Sequence, residues 1–162
     1  MKNLIVYYSM TGNTRVLARE IHRIAGGDLI EIEEIKKRSP NKMMGPAFEA
    51  LIGKKSAIKP MDSIEKYDTI LIGTPVWASR STPAVNSFLS KAKLNGKKIY
   101  LFFTLADDKK PQSLIDSMTK RIEKHGARVE DSFFIQTSMK KLISPEELEK
   151  PLFEWLKNNL HI

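Results

Sequence analysis

The chain contains no cysteine, which removes disulfides, thiolate nucleophiles, iron–sulfur ligation and cysteine-bound zinc together. The lack of disulfides accords with a reducing compartment, and a cytoplasmic location is the expectation. Histidine is scarce, at three residues. His22 and His125 fall in helical patterns and His161 sits near the end, so neither a catalytic triad nor a histidine-held metal is the reading. Long apolar runs are missing as well. The stretch from Ile99 to Ala106 is only eight residues, far short of a membrane span. Leu4-Ile5-Val6 is too short for the core of a signal peptide. Acidic residues are few, 19 Asp and Glu against 27 Lys and Arg, giving a net charge of +8. What remains, 162 residues at 41% apolar and 28% charged, reads as one soluble domain over 1–162 with enough apolar mass for a single core.

The positive charge is concentrated. Residues 36–66 carry eight basic and three acidic side chains, and Lys91 to Lys110 carry six lysines and two aspartates. Such a balance favours partners of negative sign. Nucleic acid is not expected, because no groove-reading helix with interleaved aromatics accompanies the lysines. The paired carboxylates Glu33-Glu34, Asp107-Asp108 and Glu146-Glu147 are adjacent in sequence, which does not aim both members at one site. Hydrolytic chemistry has little support.

Four short apolar runs rich in β-branched and aromatic residues stand out: Leu4 to Tyr8, Thr69 to Ile72, Ile99 to Phe103 and Phe133 to Ile135. A fifth, Leu29 to Ile32, alternates and reads as a less buried edge strand. Helical patterns lie between them. Val16, Leu17, Ile21, Ile24 and Ala25 recur at helical spacing before Gly26-Gly27. Pro83 and Pro111 each open a further helix. Ser144-Pro145-Glu146-Glu147 caps a terminal helix whose inner face is predicted as Leu148, Leu152, Phe153, Leu156 and Leu160, with Pro151 an irregularity. Met43 to Ile52 has helical character, but Gly45, Pro46 and Gly53 interrupt it. Strand and helix thus alternate five times, which predicts a doubly wound parallel sheet with helices on both faces.

In such a sheet, ligands bind beyond the carboxyl ends of the strands, where the strand order reverses. The turn Ser9-Met10-Thr11-Gly12-Asn13-Thr14 follows the first strand and opens the first helix. Three hydroxyls, an amide, a glycine and a helix N-terminus make an anion cradle, suited to a phosphate monoester held without lysine. It is neither the G-x-x-x-x-G-K-[ST] loop nor the dinucleotide fingerprint, since Gly12 stands alone. A second loop, Gly73 to Pro83, carries Trp77, an aromatic suited to stacking on a flat ligand. The third, Thr104 to Lys110, follows the strand through Phe103. Together they offer one phosphate cradle and two walls for a planar ring.

Tyr7-Tyr8-Ser9-Met10-Thr11-Gly12-Asn13-Thr14, with Tyr67-Asp68 leading into Ile72-Gly73-Thr74-Pro75-Val76-Trp77, resembles the flavodoxin family over nearly the whole chain. The resemblance implies a five-stranded sheet of order 2-1-3-4-5 that binds FMN non-covalently. It implies that Ser9, Met10, Thr11, Gly12, Asn13 and Thr14 hold the FMN phosphate. It places Pro75, Val76, Trp77 and Ala78 along one side of the isoalloxazine, and Thr104, Leu105, Ala106 and Asp107 along the other. The short stretch before Phe133 leaves no room for a long insertion, so the short-chain type is implied. The chain departs from the family pattern in its charged third loop, its positive charge and its long basic segment from Lys36 to Ile64.

The resulting expectation is an FMN-binding electron carrier acting with an acidic redox partner protein or a quinone. The alternative is an NAD(P)H- or quinone-dependent FMN oxidoreductase, and a more remote one is a non-redox module for anionic partners. Cations near a reduced, anionic flavin raise its potential. With Arg80, Lys109 and Lys110 as the candidates, a midpoint less negative than that of an acidic carrier is expected.

Overall fold

The computed structural model describes residues 2–39, 42–160 and 162. In chain order the elements are β1 (Asn3–Tyr7), α1 (Asn13–Ala25), β2 (Asp28–Glu31), α2 (Met44–Leu51), β3 (Thr69–Pro75), α3 (Pro83–Lys91), β4 (Lys98–Leu105), α4 (Gln112–Glu123), β5 (Arg128–Gln136) and α5 (Pro145–Leu160). Every neighbouring pair of strands is parallel, in the order β2-β1-β3-β4-β5. Fold class and strand order are those expected.

The continuous apolar runs are central because both of their faces are covered. Successive side chains of a strand point to opposite sides, so Leu4, Val6, Ile70, Ile72, Ile99, Leu101 and Phe103 meet α3 and α4 on one face. On the other face, Ile5, Leu71, Tyr100 and Phe102 meet α1 and α5. Burying a side chain the size of Phe102, which is wholly inaccessible, contributes roughly 2–3 kcal/mol. Close packing also fixes a glycine. A Cβ at Gly73 would fall 2.1 Å from the Phe102 ring, so β3 and the β4 aromatic fit only without it. β2 is half-buried along its length, as its alternation predicts.

One expectation on the helices needs correction. Phe153 does not belong to the inner face of α5; it is 44% exposed, whereas Leu148, Leu152 and Leu156 are fully buried. Steps of four keep those leucines in one stripe, and Phe153 lies one residue, about a quarter turn, off it. The helix also continues through Pro151. Pro151 and Glu147, whose carbonyl loses its helical partner, both lie on the exposed side. β5 is longer than its apolar centre suggested, because the mostly polar segment Arg128–Ser132 follows β4 across a register shift at Ile99/Tyr100. Trp155 Nε1 and Asn159 Nδ2 of α5 both donate to Asp131 Oδ2, at 2.8 and 2.9 Å, and clamp that extension.

The described residues on either side of the long connection from β2 to β3 are tied to one another. Glu34 and Ile58 form an antiparallel bridge, flanked by Ile35 N–H to Ala57 O at 2.9 Å and Lys59 N–H to Glu33 O at 2.8 Å. α2 forms despite Gly45 and Pro46, with Pro46 in the first turn, where no backbone donor is needed. No helix among the described residues is long and apolar enough to cross a membrane.

Candidate functional site

The chain leaves β1 toward one edge of the sheet and returns on its other side as β3. The carboxyl ends of β1 and β3 therefore diverge into the crevice where an open α/β sheet takes its ligand. Main-chain bonds carry the order past the strand ends: Tyr8 N–H to Gly73 O at 3.1 Å, Val76 N–H to Thr104 O at 2.9 Å and Thr137 N–H to Leu105 O at 2.7 Å. The loops start from fixed positions.

Gly12 takes φ 106° at the entrance to α1, a conformation suited to glycine, and no side chain caps the helix. The first-turn amides of α1 have no acceptor within the helix, so the turn presents unpaired donors at the positive end of the helix dipole. Ser9 Oγ accepts the Gly12 N–H at 3.1 Å, which closes the turn and leaves the serine proton free to donate. Thr14 Oγ1 and Thr104 Oγ1 lie 2.8 Å apart, both buried, joining the first and third loops. Asn13 has a different task from the one its neighbours suggest. Its Nδ2 donates to Ser138 O at 2.7 Å and its Oδ1 accepts from Ile143 N–H at 2.8 Å. The amide therefore pins the segment after β5, and Leu142 reaches to 2.8 Å of where a Cβ on Gly12 would stand.

Trp77 begins a two-residue reversal, with Trp77 N–H to Arg80 O at 3.0 Å and Arg80 N–H to Trp77 O at 2.9 Å. Its central residues, Ala78 and Ser79, have φ 48° and 59° without being glycine. The indole is 5% exposed. Tyr8 meets it edge-on at 5.9 Å between centroids, and the Arg38 guanidinium lies 5.7 Å from its centroid. Arg38 is held by Glu34, whose Oε2 also accepts the Tyr8 hydroxyl at 2.8 Å, and by Glu49. Burial, then the charge of Glu34, pushes the Tyr8 phenol far above its ordinary pKa. It stays a neutral donor.

Met10, Thr11, Asn13, Pro75, Val76, Trp77, Thr104, Leu105 and Ala106 line one cleft, of about 470 Å³ including its open mouth. Ser9, Gly12 and Thr14 form the turn beneath. Ala78 and Asp107 are exposed at the ends of their loops and do not line it. Lys109 N–H donates to Asp107 Oδ1 at 3.1 Å, a turn-stabilising bond. The cleft recruits four residues that the sequence did not single out, Met43, Thr137, Ser138 and Met139. The last three follow β5, and since Leu105 pairs with Gln136, their position at the carboxyl edge was implicit in the topology. None of the lining side chains among the described residues is ionisable. A second, charged recess lies across Ser9-Met10, where Glu31 accepts a two-pronged bond from Arg15 at 2.9 and 2.6 Å.

This architecture defines a class. A family model described as the flavodoxin domain matches residues 4–151, and the chain belongs to that family. Among solved structures, a Bacteroides uniformis protein provisionally named a flavoprotein is 22% identical, with a TM-score of 0.79 over 96% of this chain and 97% of that one. A Lactobacillus acidophilus flavoprotein in complex with FMN is 25% identical, with a TM-score of 0.69 over 82% and 92%. Oxidised flavodoxin 1 from Bacillus cereus is 19% identical, with a TM-score of 0.61 over 100% and 99%.

Proposed function

We propose that this chain binds FMN in the cleft and serves as an electron carrier. Three features of the chain support the cofactor: an uncapped helix N-terminus beside hydroxyl donors, a slot at the β1/β3 divergence, and an indole in its wall. In this reading Ser9, Met10, Thr11, Gly12, Asn13 and Thr14 hold the phosphate, Asn13 through its main-chain N–H. Pro75, Val76 and Trp77 flank one side of the ring and Thr104, Leu105 and Ala106 the other, with Ala78 and Asp107 at the exposed ends of the two loops. Bound FMN supplies one- and two-electron transfer. The side chains orient it, exclude water and set its potential.

The absence of any ionisable side chain from the lining carries the choice of carrier over oxidoreductase. An enzyme that reduces a quinone by two electrons also delivers protons, commonly from a positioned acid. Among the described residues lining this cleft there is none, and Asp107 at its rim holds its carboxylate on the Lys109 N–H. The net charge of +8 supports redox partners of negative sign, an acidic protein or a quinone in an anionic bilayer.

Steady-state assays separate the readings. The FMN-loaded protein mixed with NADPH and a soluble quinone is expected to show no turnover until an electron-donating reductase is added. Sustained turnover without a reductase would make the oxidoreductase reading the correct one.

A further inference from the structure

α2 is amphipathic the wrong way round for a helix covering a sheet. Such a helix turns its apolar stripe inward, yet only Ala50 of α2 is buried. Met44, Phe48 and Leu51, spaced by four and three residues, share an outward face at 91, 62 and 52% exposure. Ile52 and Ile35 extend the patch at 59 and 64%. Fraying is not the cause, because polar tethers hold the helix from behind. Glu49 receives Arg38 and Lys54, Asn86 Nδ2 donates to Lys54 O at 3.0 Å, and Ser56 N–H donates to Pro83 O at 3.3 Å.

The surroundings of the ridge carry one sign of charge. Residues 35–55 hold six basic side chains and one acidic, and that one, Glu49, is already paired twice. Lys36, Lys37, Lys42 and Lys55 are exposed and make no ion pair among the described residues.

We infer that the α2 face docks on an anionic lipid surface, with Met44, Phe48 and Leu51 entering the headgroup–acyl boundary and the free lysines meeting lipid phosphates. An apolar ridge with a basic border is the composition of an interfacial helix. Two alternatives fit less well. A second copy would bring two borders of the same sign together. An acidic protein would need a groove of its own shaped to the projecting ridge. A deformable bilayer needs no such groove. Met43, the residue before α2, lines the main cleft, so docking would set the cleft near the membrane plane. The inference goes beyond the electron-carrier reading and stands without it.

Co-sedimentation of the full-length, FMN-saturated chain with sucrose-loaded vesicles tests it. Phosphatidylcholine vesicles with about one-third phosphatidylglycerol are expected to pellet the protein, and pure phosphatidylcholine is not. Phe48→Glu should weaken pelleting by roughly tenfold or more, and the pair Lys36→Glu/Lys37→Glu by a similar factor. The charge-matched pair Lys120→Glu/Lys124→Glu on and just beyond α4 should have a smaller effect. Thermal melting and FMN titration of each variant keep folding and cofactor loss apart from loss of docking. Failure to pellet with the anionic vesicles would overturn the inference. Equal weakening by the two lysine pairs would overturn it by showing diffuse adsorption. A native dimer dissolved by Phe48→Glu would assign the face to a second copy, and Phe48-dependent retention on poly-L-glutamate without pelleting would assign it to an acidic polypeptide.

Discussion

At the scale of single residues, the Trp77–Arg80 reversal holds two side-chain-bearing residues in left-handed backbone. Each costs on the order of 1 kcal/mol. Ser79→Gly is therefore expected to stabilise the FMN-free protein by roughly 0.5–1 kcal/mol after the glycine's own entropic cost, read from urea unfolding. Tyr7 gives a prediction in pH. Burial first, then the charge of Glu31, pushes its phenol from 10.0 up to about 12. A pKa raised by folding means that stability is intact below pH 10.0 and is lost as pH climbs from there toward about 12. Tyr7→Phe should flatten that alkaline decline in a series of melting temperatures. Arg38 was visible in the sequence only as one of many basic residues. Its guanidinium lies beside the Trp77 ring, so in the proposed reading it joins Arg80, Lys109 and Lys110 as a candidate for tuning the flavin potential. Arg38→Gln should lower the midpoint potential of bound FMN by roughly tens of millivolts, and Arg38→Lys should lower it less, as a Coulombic effect requires. Equal potentials in redox titrations would remove Arg38 from the tuning of the site.

At the scale of elements, the Asn13 amide joins the start of α1 to the segment between β5 and α5. Asn13→Ala removes one buried and one part-buried bond and should cost about 2 kcal/mol. Limited proteolysis should then become faster at the exposed Lys140 and Lys141, while the strands remain protected. The elements differ in how far their own sequences announce them. Leu4 to Tyr8 or Ile99 to Phe103 can be read directly, because a strand covered on both faces must be apolar at every position. α2 cannot be so read. Gly45 and Pro46 argue locally against a helix, and what holds it in place comes from Arg38, Asn86 and Pro83, distant in sequence. Phe153 shows the opposite limit, since helical spacing with tolerance for neighbours admits a residue that lies just off the stripe. In the site, Ser9 to Thr14 and Pro75 to Trp77 were legible from composition and position after a strand. Thr137 to Met139 were not, because ordinary polar residues gain meaning only once β5 is set beside β4.

At the scale of the molecule, one sheet supplies two separable surfaces. The cleft at the β1/β3 divergence has a non-ionisable lining, and the α2 face beside it gathers unpaired positive charge around an apolar ridge. In the proposed reading the first would hold the cofactor and the second would meet a surface of negative sign. The measurement that bears most directly on the account is a titration of the FMN-free protein with FMN, following flavin emission and the melting temperature together. The account predicts saturation at one FMN per chain, with flavin emission altered on binding. At about 100 times the dissociation constant it predicts stabilisation of about 2.7 kcal/mol, a rise in melting temperature of several degrees. Unchanged emission and an unchanged melting temperature at saturating FMN would contradict it.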